Sequence, residues 1–416
     1  MLSLRNVAAL IAAVTILQAG QGLLGLHLPL AFAADGYSRA SLGLVAAAYS
    51  LGFMMGALGA TAMLARVGHI RVFAACAAIL SVTTLALHGA GAVWGWALAR
   101  FIAGVAVALM FAAVESWMSA SIGKSERGHV MGIYMVATKA SLAIGPFLAI
   151  GLPVTAAEPW MIAAAISALA MVPVCFTTAA QPEPPKAQPL ALVEQFATAP
   201  AAVIAAFGAG FINSGVLALA PLYASERFGA DMAASFYSAA WIGSLILQWP
   251  AGRLSDSIDR RVVIAGLTAI AAVAALSLAV FRDQLAGWAG IALFGLWGAG
   301  ALSFYGIAVA HMADRAEHGR IAQATSGLLF VWAAGSVVGP IVQGAAVEVL
   351  GGRGIFWFGG IAAVLLTAAM FWRGARRAPP ERADKETFSP KPETSVAAAE
   401  IAYGEEEAAR PAPRTS

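Results

Sequence analysis

Three charged side chains, Arg100, Glu115 and Lys139, lie inside otherwise apolar stretches of the sequence. A charge inside a membrane span costs roughly 2.5 to 3.5 kcal/mol on insertion scales, so such residues usually face a cavity or a partner. Glu115 and Lys139 lie at equal distances before and after Arg127, so antiparallel helices joined there would carry them to similar depth. A partly desolvated carboxylate takes up a proton readily, and a nearby cation opposes this. The two residues therefore suit a proton-coupling pair or, equally, a static ion pair.

Several uncharged polar residues in the apolar stretches could hydrogen-bond a small solute, although buried amides often simply join helices. The candidates for solute binding are Gln18, Gln21, His27, Asn213, Gln248 and Gln343. His27 could also titrate near neutral pH, or it could be purely structural. Aromatic residues around position 240 suit an amphiphilic ligand or a bilayer interface equally well, and they are Phe236, Tyr237, Trp241 and Trp249.

Other chemistries lack the residues they require. The "GKS" at 123–125 is not a nucleotide-binding loop, because Met118 stands where that motif needs its first glycine. No metal-ligand spacing and no nucleophile with a base are present, and Cys76 and Cys175 suggest packing rather than a disulfide. We expect no enzyme, no cofactor and no metal, and the chain has no basic domain for nucleic acid.

The composition indicates that lipid is the solvent of this chain. Of its 416 residues, 60% are apolar and only 11% are charged, whereas a soluble domain carries about 25% charged residues. Apolar stretches of about 20 residues, enough to cross a bilayer, recur along the sequence. We predict twelve transmembrane helices, at about 6–32, 40–65, 70–90, 92–120, 130–152, 158–178, 199–224, 233–252, 262–281, 286–312, 321–350 and 354–373.

The basic residues predict the orientation of these helices, since Lys and Arg in short loops stay on the cytoplasmic side. With both ends of the helical region inside, only Arg39, Arg227, Arg282 and Arg353 fall in outer connections. The other basic residues of the connections, from Arg5 to Arg377, lie inside. We therefore expect a multi-pass membrane protein with both termini in the cytoplasm.

The second half of the chain repeats the first. The "QGLLGLHLPL" at 21–30 matches "NSGVLALAPL" at 213–222, and the "GP" at 145–146 matches that at 339–340, with nearly equal offsets. A repeat of this length indicates a duplicated six-helix unit. We predict six-helix bundles at 1–178 and 199–373, a Pro-rich cytoplasmic linker at 179–198 and a disordered cytoplasmic tail at 374–416. Such duplicated bundles are typical of secondary transporters.

The charged stretch "GRLSDSIDRR" at 252–261 carries a family resemblance. It resembles the loop signature G-x-L-x-D-R-x-G-R-R of the major facilitator superfamily, with matches at Gly252, Leu254, Asp256, Arg260 and Arg261. The resemblance implies a cytoplasmic gate in which Asp256 faces the start of the fifth helix, near 128–131, while the arginines lie at lipid headgroups. The first-half copy keeps Arg66, Gly68 and Arg71 but has Ala65 in place of the aspartate. The alternative is that these charges only set the topology.

Two further motifs refine the resemblance. The "SLAIGPFLAIG" at 141–151 is similar to the G-x-x-x-G-P-x-x-x-G element of proton-coupled exporters in this superfamily, although Ser141 replaces the first glycine. Small residues let helices approach closely, and a mid-membrane proline kinks a helix. The residues expected to do this in both halves are Gly145, Pro146, Gly335, Gly339 and Pro340. The "RFIAG" at 100–104 resembles an R-x-x-x-G element whose arginine is linked to proton transfer in the exporters.

The sequence therefore predicts an all-α transporter of the major facilitator type that moves a small molecule by alternating access. Proton-coupled efflux of a small amphiphilic molecule is the leading interpretation, and a monomer would suffice. A proton-coupled importer of a small metabolite is the alternative; it would have a more polar cavity and would need Arg100 for an anionic solute. A third hypothesis, from another class, is a membrane sensor or scaffold whose working part is the tail. The "VESWM" at 114–118 is similar to a bacterial branch with largely unassigned substrates.

Overall fold

The computed structural model describes residues 2–123, 126–177, 181–182, 196–316, 320–376 and 388. These residues form helices joined by short turns, and no strand occurs among them. The helices are α1 Leu2–Ala34, α2 Arg39–Val67, α3 His69–His88, α4 Val93–Ser121, α5 Arg127–Ile144, α6 Glu158–Leu169, α7 Met171–Cys175, α8 Pro200–Phe228, α9 Ala230–Ser257, α10 Arg260–Val280, α11 Gly287–Ala301, α12 Phe304–Ala313, α13 Ile321–Leu350 and α14 Arg353–Arg376.

In the described part of the chain, twelve helical segments are long and apolar enough to cross a membrane, which confirms the predicted all-α polytopic architecture. Three of the segments contain two helical pieces each. At Gly145, α5 passes into a 3₁₀ helix, Gly145–Ala149, because Pro146 has no N–H for the next α-helical hydrogen bond. The sixth segment joins α6 to α7, and the tenth joins α11 to α12 through Leu302 and Ser303.

Glycine-mediated contacts bring the helices together. A Cβ on Gly52 of α2 would overlap the carbonyl oxygen of Phe101 in α4, and one on Gly210 of α8 would overlap that of Trp332 in α13. Such close backbone approach is how membrane helices associate when lipid removes most of the hydrophobic driving force. A stack of aromatic rings consolidates the later helices, with centroids 4.3 Å apart between Phe236 and Phe294.

The predicted division of the chain corresponds to two groups of helices, α1–α7 and α8–α14, and its boundaries stay a prediction. Contacts between the groups run through α2 against α13, α5 against α9 and α1 against α8. Most of the predicted linker lies outside the described residues. The predicted disordered tail also lies outside them, apart from the end of α14 and Phe388.

The inner end of the bundle is the end where α2 meets α3 and α9 meets α10. The outer end is the opposite one, where α1 meets α2 and α8 meets α9. These labels follow the orientation predicted from the basic residues.

Candidate functional site

A cavity of about 340 Å³ lies between the two groups of helices. Its walls are mainly apolar and aromatic, with a small number of polar and charged side chains. The lining residues are Gln18, Gln21, Leu24, Gly25, Leu28, Pro29, Leu42, Val45, Ala46, Tyr49, Ser50, Phe53, Arg100, Phe111, Tyr134, Met135, Thr138, Lys139, Leu142, Ser214, Leu217, Ala218, Tyr237, Trp241, Trp332 and Pro340. An apolar cavity with a few polar groups is the usual form of a small-molecule site.

Arg100 lines this cavity from the outer part of α4. Its guanidinium lies over the ring of Tyr49 in α2, with 4.0 Å between the guanidinium carbon and the ring centroid. The two helices approach closely here, because a Cβ on Gly104 would overlap the carbonyl oxygen of Tyr49. A cation over an aromatic face is favourable and leaves the guanidinium edge available for hydrogen bonds.

Lys139 lies near the middle of its span and bonds across the two groups of helices. Its Nζ donates to Ser244 Oγ of α9 at 2.6 Å and to the carbonyl oxygen of Leu302 at 3.3 Å. Leu302 lies at the break between α11 and α12, where the regular helical hydrogen-bond pattern is interrupted. Both Lys139 and Ser244 are buried, so this bond joins the two groups inside the membrane-spanning region.

Glu115 is fully buried and bonds to a residue on the cavity wall. The hydroxyl of Tyr134 in α5 donates to Glu115 Oε1 at 2.7 Å, whereas the bonds described for Lys139 lead to α9 and Leu302. The connection between α4 and α5 is centred near residue 124, so the level of Glu115 on α5 is near residue 133. The expectation that Glu115 and Lys139 share a depth assumed that the connection between the two helices is centred at Arg127. The centre lies about three residues earlier, so the residue of α5 level with Glu115 lies nearer to Tyr134 than to Lys139.

The outer end is closed by contacts between the two groups of helices. Arg39 at the start of α2 forms an ion pair with Glu226 near the end of α8. The neighbouring backbone N–H of Ala40 donates to Glu348 Oε1 of α13 at 3.0 Å. Below them, a Cβ on Gly43 would overlap the carbonyl oxygen of Pro340. Together these contacts hold α2 against α8 and α13 at the outer end.

A buried charge cluster occupies the inner end of the second group. Arg260 donates to both carboxylate oxygens of Asp314, with Nε to Oδ2 at 2.6 Å and Nη2 to Oδ1 at 3.1 Å. Its Nη1 donates to Asp256 Oδ1 at 3.2 Å. Both Arg260 and Asp314 have almost no exposed side chain, and a bidentate pair of this kind fixes geometry as well as charge.

Arg261 makes a separate set of contacts. It pairs with Asp259 at 2.7 Å, and its Nη1 donates to the carbonyl oxygen of Arg373 at 2.9 Å, which ties α10 to the end of α14. Burial alone would raise the pKa of the Asp259 carboxyl, but its hydrogen bonds and ion pair with Arg261 lower it below the usual value. Asp259 therefore stays ionised and holds Arg261 in place.

The family is decided by the sequence match to known proteins. The sequence model of the Major Facilitator Superfamily matches residues 10–316 and 238–408. The chain belongs to the major facilitator superfamily. Similar relatives include the uncharacterized MFS-type transporter YcaD of Salmonella dublin and of Escherichia coli, each 25% identical over 349 residues, 81% of this chain and 87% of the relative.

Solved structures of the superfamily share this fold. The nucleoside transporter NupG aligns with a TM-score of 0.73 at 14% identity, over 88% of this chain and 99% of that one. The D-xylose-proton symporter aligns with a TM-score of 0.71 at 15% identity, over 91% of this chain and 98% of that one. At these identities the likeness concerns the fold alone. The family match and the relatives together support a secondary transporter of the major facilitator superfamily.

The predicted solute-binding residues of this superfamily member divide between the cavity and the helix packing. Gln18 and Gln21 line the cavity. The other four residues do not: His27 packs edge-on against Trp160, with centroids 4.7 Å apart, and the amide of Gln343 donates to the Phe211 carbonyl oxygen at 3.0 Å. Asn213 and Gln248 are buried away from the lining.

The predicted aromatic group around position 240 is also divided. Tyr237 and Trp241 line the cavity, Phe236 is packed in the core, and Trp249 is 53% exposed. Within the described residues, no group of three or more His, Cys, Asp and Glu could hold a metal ion.

The glycines and prolines of the exporter-like element lie at close helix contacts. A Cβ on Gly145 would overlap the Ala19 carbonyl oxygen of α1. In the second copy, a Cβ on Gly335 or Gly339 would overlap a carbonyl oxygen of α8. Pro340 lies inside α13 and lines the cavity, and Pro146 lies at the change from α-helix to 3₁₀ helix.

The signature loop differs from its expected arrangement. Arg260 and Arg261 are 1% and 3% exposed, so they are paired inside the protein and do not extend to lipid headgroups. The contacts described for Asp256 are with Arg260 of the same half and with Phe388 of the tail region, whereas the start of α5 was the expected partner. The two arginines are buried because each has an acidic partner: Asp314, just after α12, pairs with Arg260, and Asp259, just before α10, pairs with Arg261. Burial of a guanidinium requires such a partner.

The first-half copy of the loop is simpler. Gly68 has a positive φ of 89° and ends α2, as a glycine without Cβ strain can. Arg66 and Arg71 on either side are exposed. The side-chain oxygen of Gln181 accepts a hydrogen bond from the backbone N–H of His69 at 3.1 Å, which caps the start of α3.

Several cavity residues were not identified from the sequence. On α5 the lining residues are Tyr134, Met135, Thr138, Lys139 and Leu142, which follow the three- and four-residue spacing of one helix face. Starting from Lys139, this spacing could have found the others. No sequence pattern identified Tyr49 and Trp332 as cavity residues, because an aromatic residue in an apolar helix can face lipid as well as a cavity.

Proposed function

We propose that this superfamily member is a proton-coupled exporter of a small amphiphilic molecule, working by alternating access. The observation that carries the proposal is the central cavity, where aromatic and aliphatic walls surround a few hydrogen-bonding groups. Its volume of about 340 Å³ lies in the range of small-ligand sites. An amphiphilic molecule suits this mixture better than a sugar, which would need a denser set of polar partners.

Glu115 is the proposed proton carrier. Its carboxylate is buried, and Tyr134 joins it directly to the cavity wall. A solute that displaces or reorients the Tyr134 hydroxyl changes the hydrogen bonding of Glu115, and the carboxylate then exchanges its proton. The alternative is that Glu115 only locks α4 against α5. In that case Glu115→Gln would leave proton movement unchanged.

Alternating access requires that contacts between the two groups of helices break and reform. The outer-end contacts of Arg39 with Glu226 and of Ala40 with Glu348 must open to release solute outward. At mid-depth, the bonds from Lys139 to Ser244 and Leu302 cross the same boundary. Each of these contacts is small, so a modest binding energy can shift the balance between conformations.

Export is the proposed direction, and two observations support it. The apolar walls suit molecules that partition from the cytoplasmic leaflet, and the Gly145–Pro146 element resembles that of exporters. The alternative of import rests on the lining itself, since Arg100 would attract an anionic metabolite from outside. The proposed location is a bacterial inner membrane with both termini cytoplasmic, and a monomer contains the complete cavity.

Everted membrane vesicles test this function. Their interior is acidified, a pH-sensitive dye reports the gradient, and a panel of solutes is added outside. We expect one class of solute to collapse the gradient with the native chain and not with Glu115→Gln, while the control Glu158→Gln at the outer start of α6 behaves as native. Accumulation of a solute by right-side-out vesicles, with no collapse in everted ones, would instead identify an importer.

A further inference from the structure

The charges on the cavity wall are all of one sign in the described part of the chain. Arg100 and Lys139 line it, and no Asp or Glu is among the described lining residues. Two cations on the wall of one cavity give it a positive electrostatic potential, which favours a bound anion.

Both cations present hydrogen-bond donors in a form that a ligand could use. The guanidinium of Arg100 lies over the Tyr49 ring, so one side of it is covered while its N–H groups can donate to a ligand. The two described partners of Lys139, Ser244 Oγ and the Leu302 carbonyl oxygen, are neutral oxygens. A carboxylate or sulfonate is a stronger acceptor for an ammonium group than either of them.

We infer that the transported molecule is an amphiphilic organic anion whose negative group binds Lys139 in a cavity that Arg100 makes more positive, and that Lys139 exchanges its cross-helix bonds for this anion. The inference rests on the proposed function and names its substrate class. The apolar part of the anion lies against the aromatic walls formed by Tyr49, Tyr237, Trp241 and Trp332, which all line the same cavity.

The exchange at Lys139 gives binding a mechanical consequence. Lys139 belongs to α5, whereas Ser244 and Leu302 belong to α9 and to the break after α11. When the anion takes the ammonium group, the bonds that join the two groups of helices at mid-depth are lost. A ligand shifts a conformational equilibrium only through such a difference between states, so the negative charge itself favours the movement of the bundles.

Thermal unfolding of the purified full-length protein in detergent tests the inference. The probes are matched trios at neutral pH: 1-naphthoate, 1-naphthamide and 1-naphthylmethylamine, then octanoate, octanamide and octylamine. We expect the acids to raise Tm in a concentration-dependent manner and the amides and amines to have little effect. Lys139→Gln is expected to weaken acid binding by about 10- to 100-fold, the loss of one charge-assisted hydrogen bond. Arg100→Gln is expected to weaken it by a smaller factor, because it removes a positive charge from the same cavity wall.

Ser244→Ala separates a binding role of Lys139 from a structural one. This substitution removes a competing partner, so it is expected to leave acid binding at the native strength or to tighten it several-fold. If Lys139 only joined the helices, Ser244→Ala and Lys139→Gln would lower unliganded stability together and neither would change selectivity. Lys139→Arg keeps the positive charge and is expected to retain the preference for acids. Its binding would show that the loss in Lys139→Gln comes from the missing charge and not from misfolding.

The outcomes distinguish this inference from the proposed function. Stabilisation by the neutral or cationic members alone, or by no member of either trio, overturns the anion assignment. Collapse of the vesicle gradient by amines and not by acids, beyond the passive collapse that permeant amines cause in Glu115→Gln vesicles, would support proton-coupled export and reject the anion. Acids that bind with the expected dependence on Lys139, but never move protons or accumulate, would support the anion site and reject export.

Discussion

The backbone N–H of Phe388 donates a hydrogen bond to Asp256 Oδ1 at 2.9 Å, although the two residues are 132 positions apart. The Phe388 ring lies against Gly252 in α9, with Gly306 of α12 nearby, and only 9% of the residue is exposed. The signature aspartate of the second half is thus held both by Arg260 and by a residue from beyond α14. A residue of the tail region is part of the inner end of the transporter.

Gly252→Ala is expected to displace Phe388, because the new Cβ would overlap its ring. Gly306→Ala is the matched control, since its Cβ would lie 3.6 Å from the ring, an ordinary contact. Hydrogen exchange of the peptide containing Phe388 measures the effect. We expect protection of its amide to fall in Gly252→Ala and to persist in Gly306→Ala. Equal exchange in both variants would show that Gly252 does not control this contact.

Arg39→Gln is expected to loosen the outer end, because Arg39 and Glu226 belong to different groups of helices. Exposed ion pairs contribute about 1 kcal/mol or less, so the open population should rise by up to about fivefold. Arg353→Gln is the control, since its partner Asp283 lies within the same group and the Arg353 side chain is about as exposed as that of Arg39.

The reporter for the outer end is Ser50→Cys on the cavity wall, with Cys76 and Cys175 replaced by serine, and an impermeant maleimide is applied from outside. Faster labelling in Arg39→Gln alone is the expected result. Faster labelling in both arginine variants would point to a general loss of stability, and no change in either would mean that other contacts close this end.

Asp314→Asn is expected to destabilise the fold by about 3 to 5 kcal/mol, because it removes the bidentate partner of a buried guanidinium. Asp283→Asn at the outer end, 61% exposed, should cost about 1 kcal/mol or less. Unfolding of the purified protein in a graded denaturing detergent compares the two. A similar loss in both variants would contradict the importance given to burial.

Gly145→Ala is expected to destabilise the contact between α1 and α5 by about 1 to 3 kcal/mol, because its Cβ would overlap the Ala19 carbonyl oxygen. Gly132→Ala on the same helix has nothing within 4 Å of its new Cβ. It should leave stability unchanged or raise it by up to about 1 kcal/mol, as alanine favours helix. Thermal unfolding measures both, and the opposite order would refute the packing role of Gly145.

The positions of the charged residues illustrate what could be predicted from the sequence. That Arg100, Glu115 and Lys139 needed a cavity or a partner followed from their apolar surroundings, and the structure places Arg100 and Lys139 on the cavity wall and Glu115 beside it. The pairing of Glu115 with Lys139 stays a hypothesis, and the contacts described for them lead elsewhere. Pairing depends on the rotation and register of each helix, and the short connection between α4 and α5 shifts that register.

The roles of the candidate solute-binding amides also depend on how the helices pack. Gln18 and Gln21 face the cavity, whereas Gln343 bonds to a backbone carbonyl between α8 and α13. An amide in an apolar helix satisfies its hydrogen bonds in either setting. Sequence position alone therefore does not separate a ligand-binding amide from one that joins two helices.

The sequence by itself determined the solvent, the twelve spans and the family, because hydropathy, helix length and short motifs are properties of local segments. Only the tertiary structure decided which side chains share the cavity, that Tyr134 bonds to Glu115, and that Lys139 reaches Ser244 across the two groups of helices. It also decided that Arg260 is buried against Asp314 and that Phe388 reaches Asp256. Contacts of this kind depend on how separate helices pack, since residues far apart in the chain meet only when the bundle is assembled.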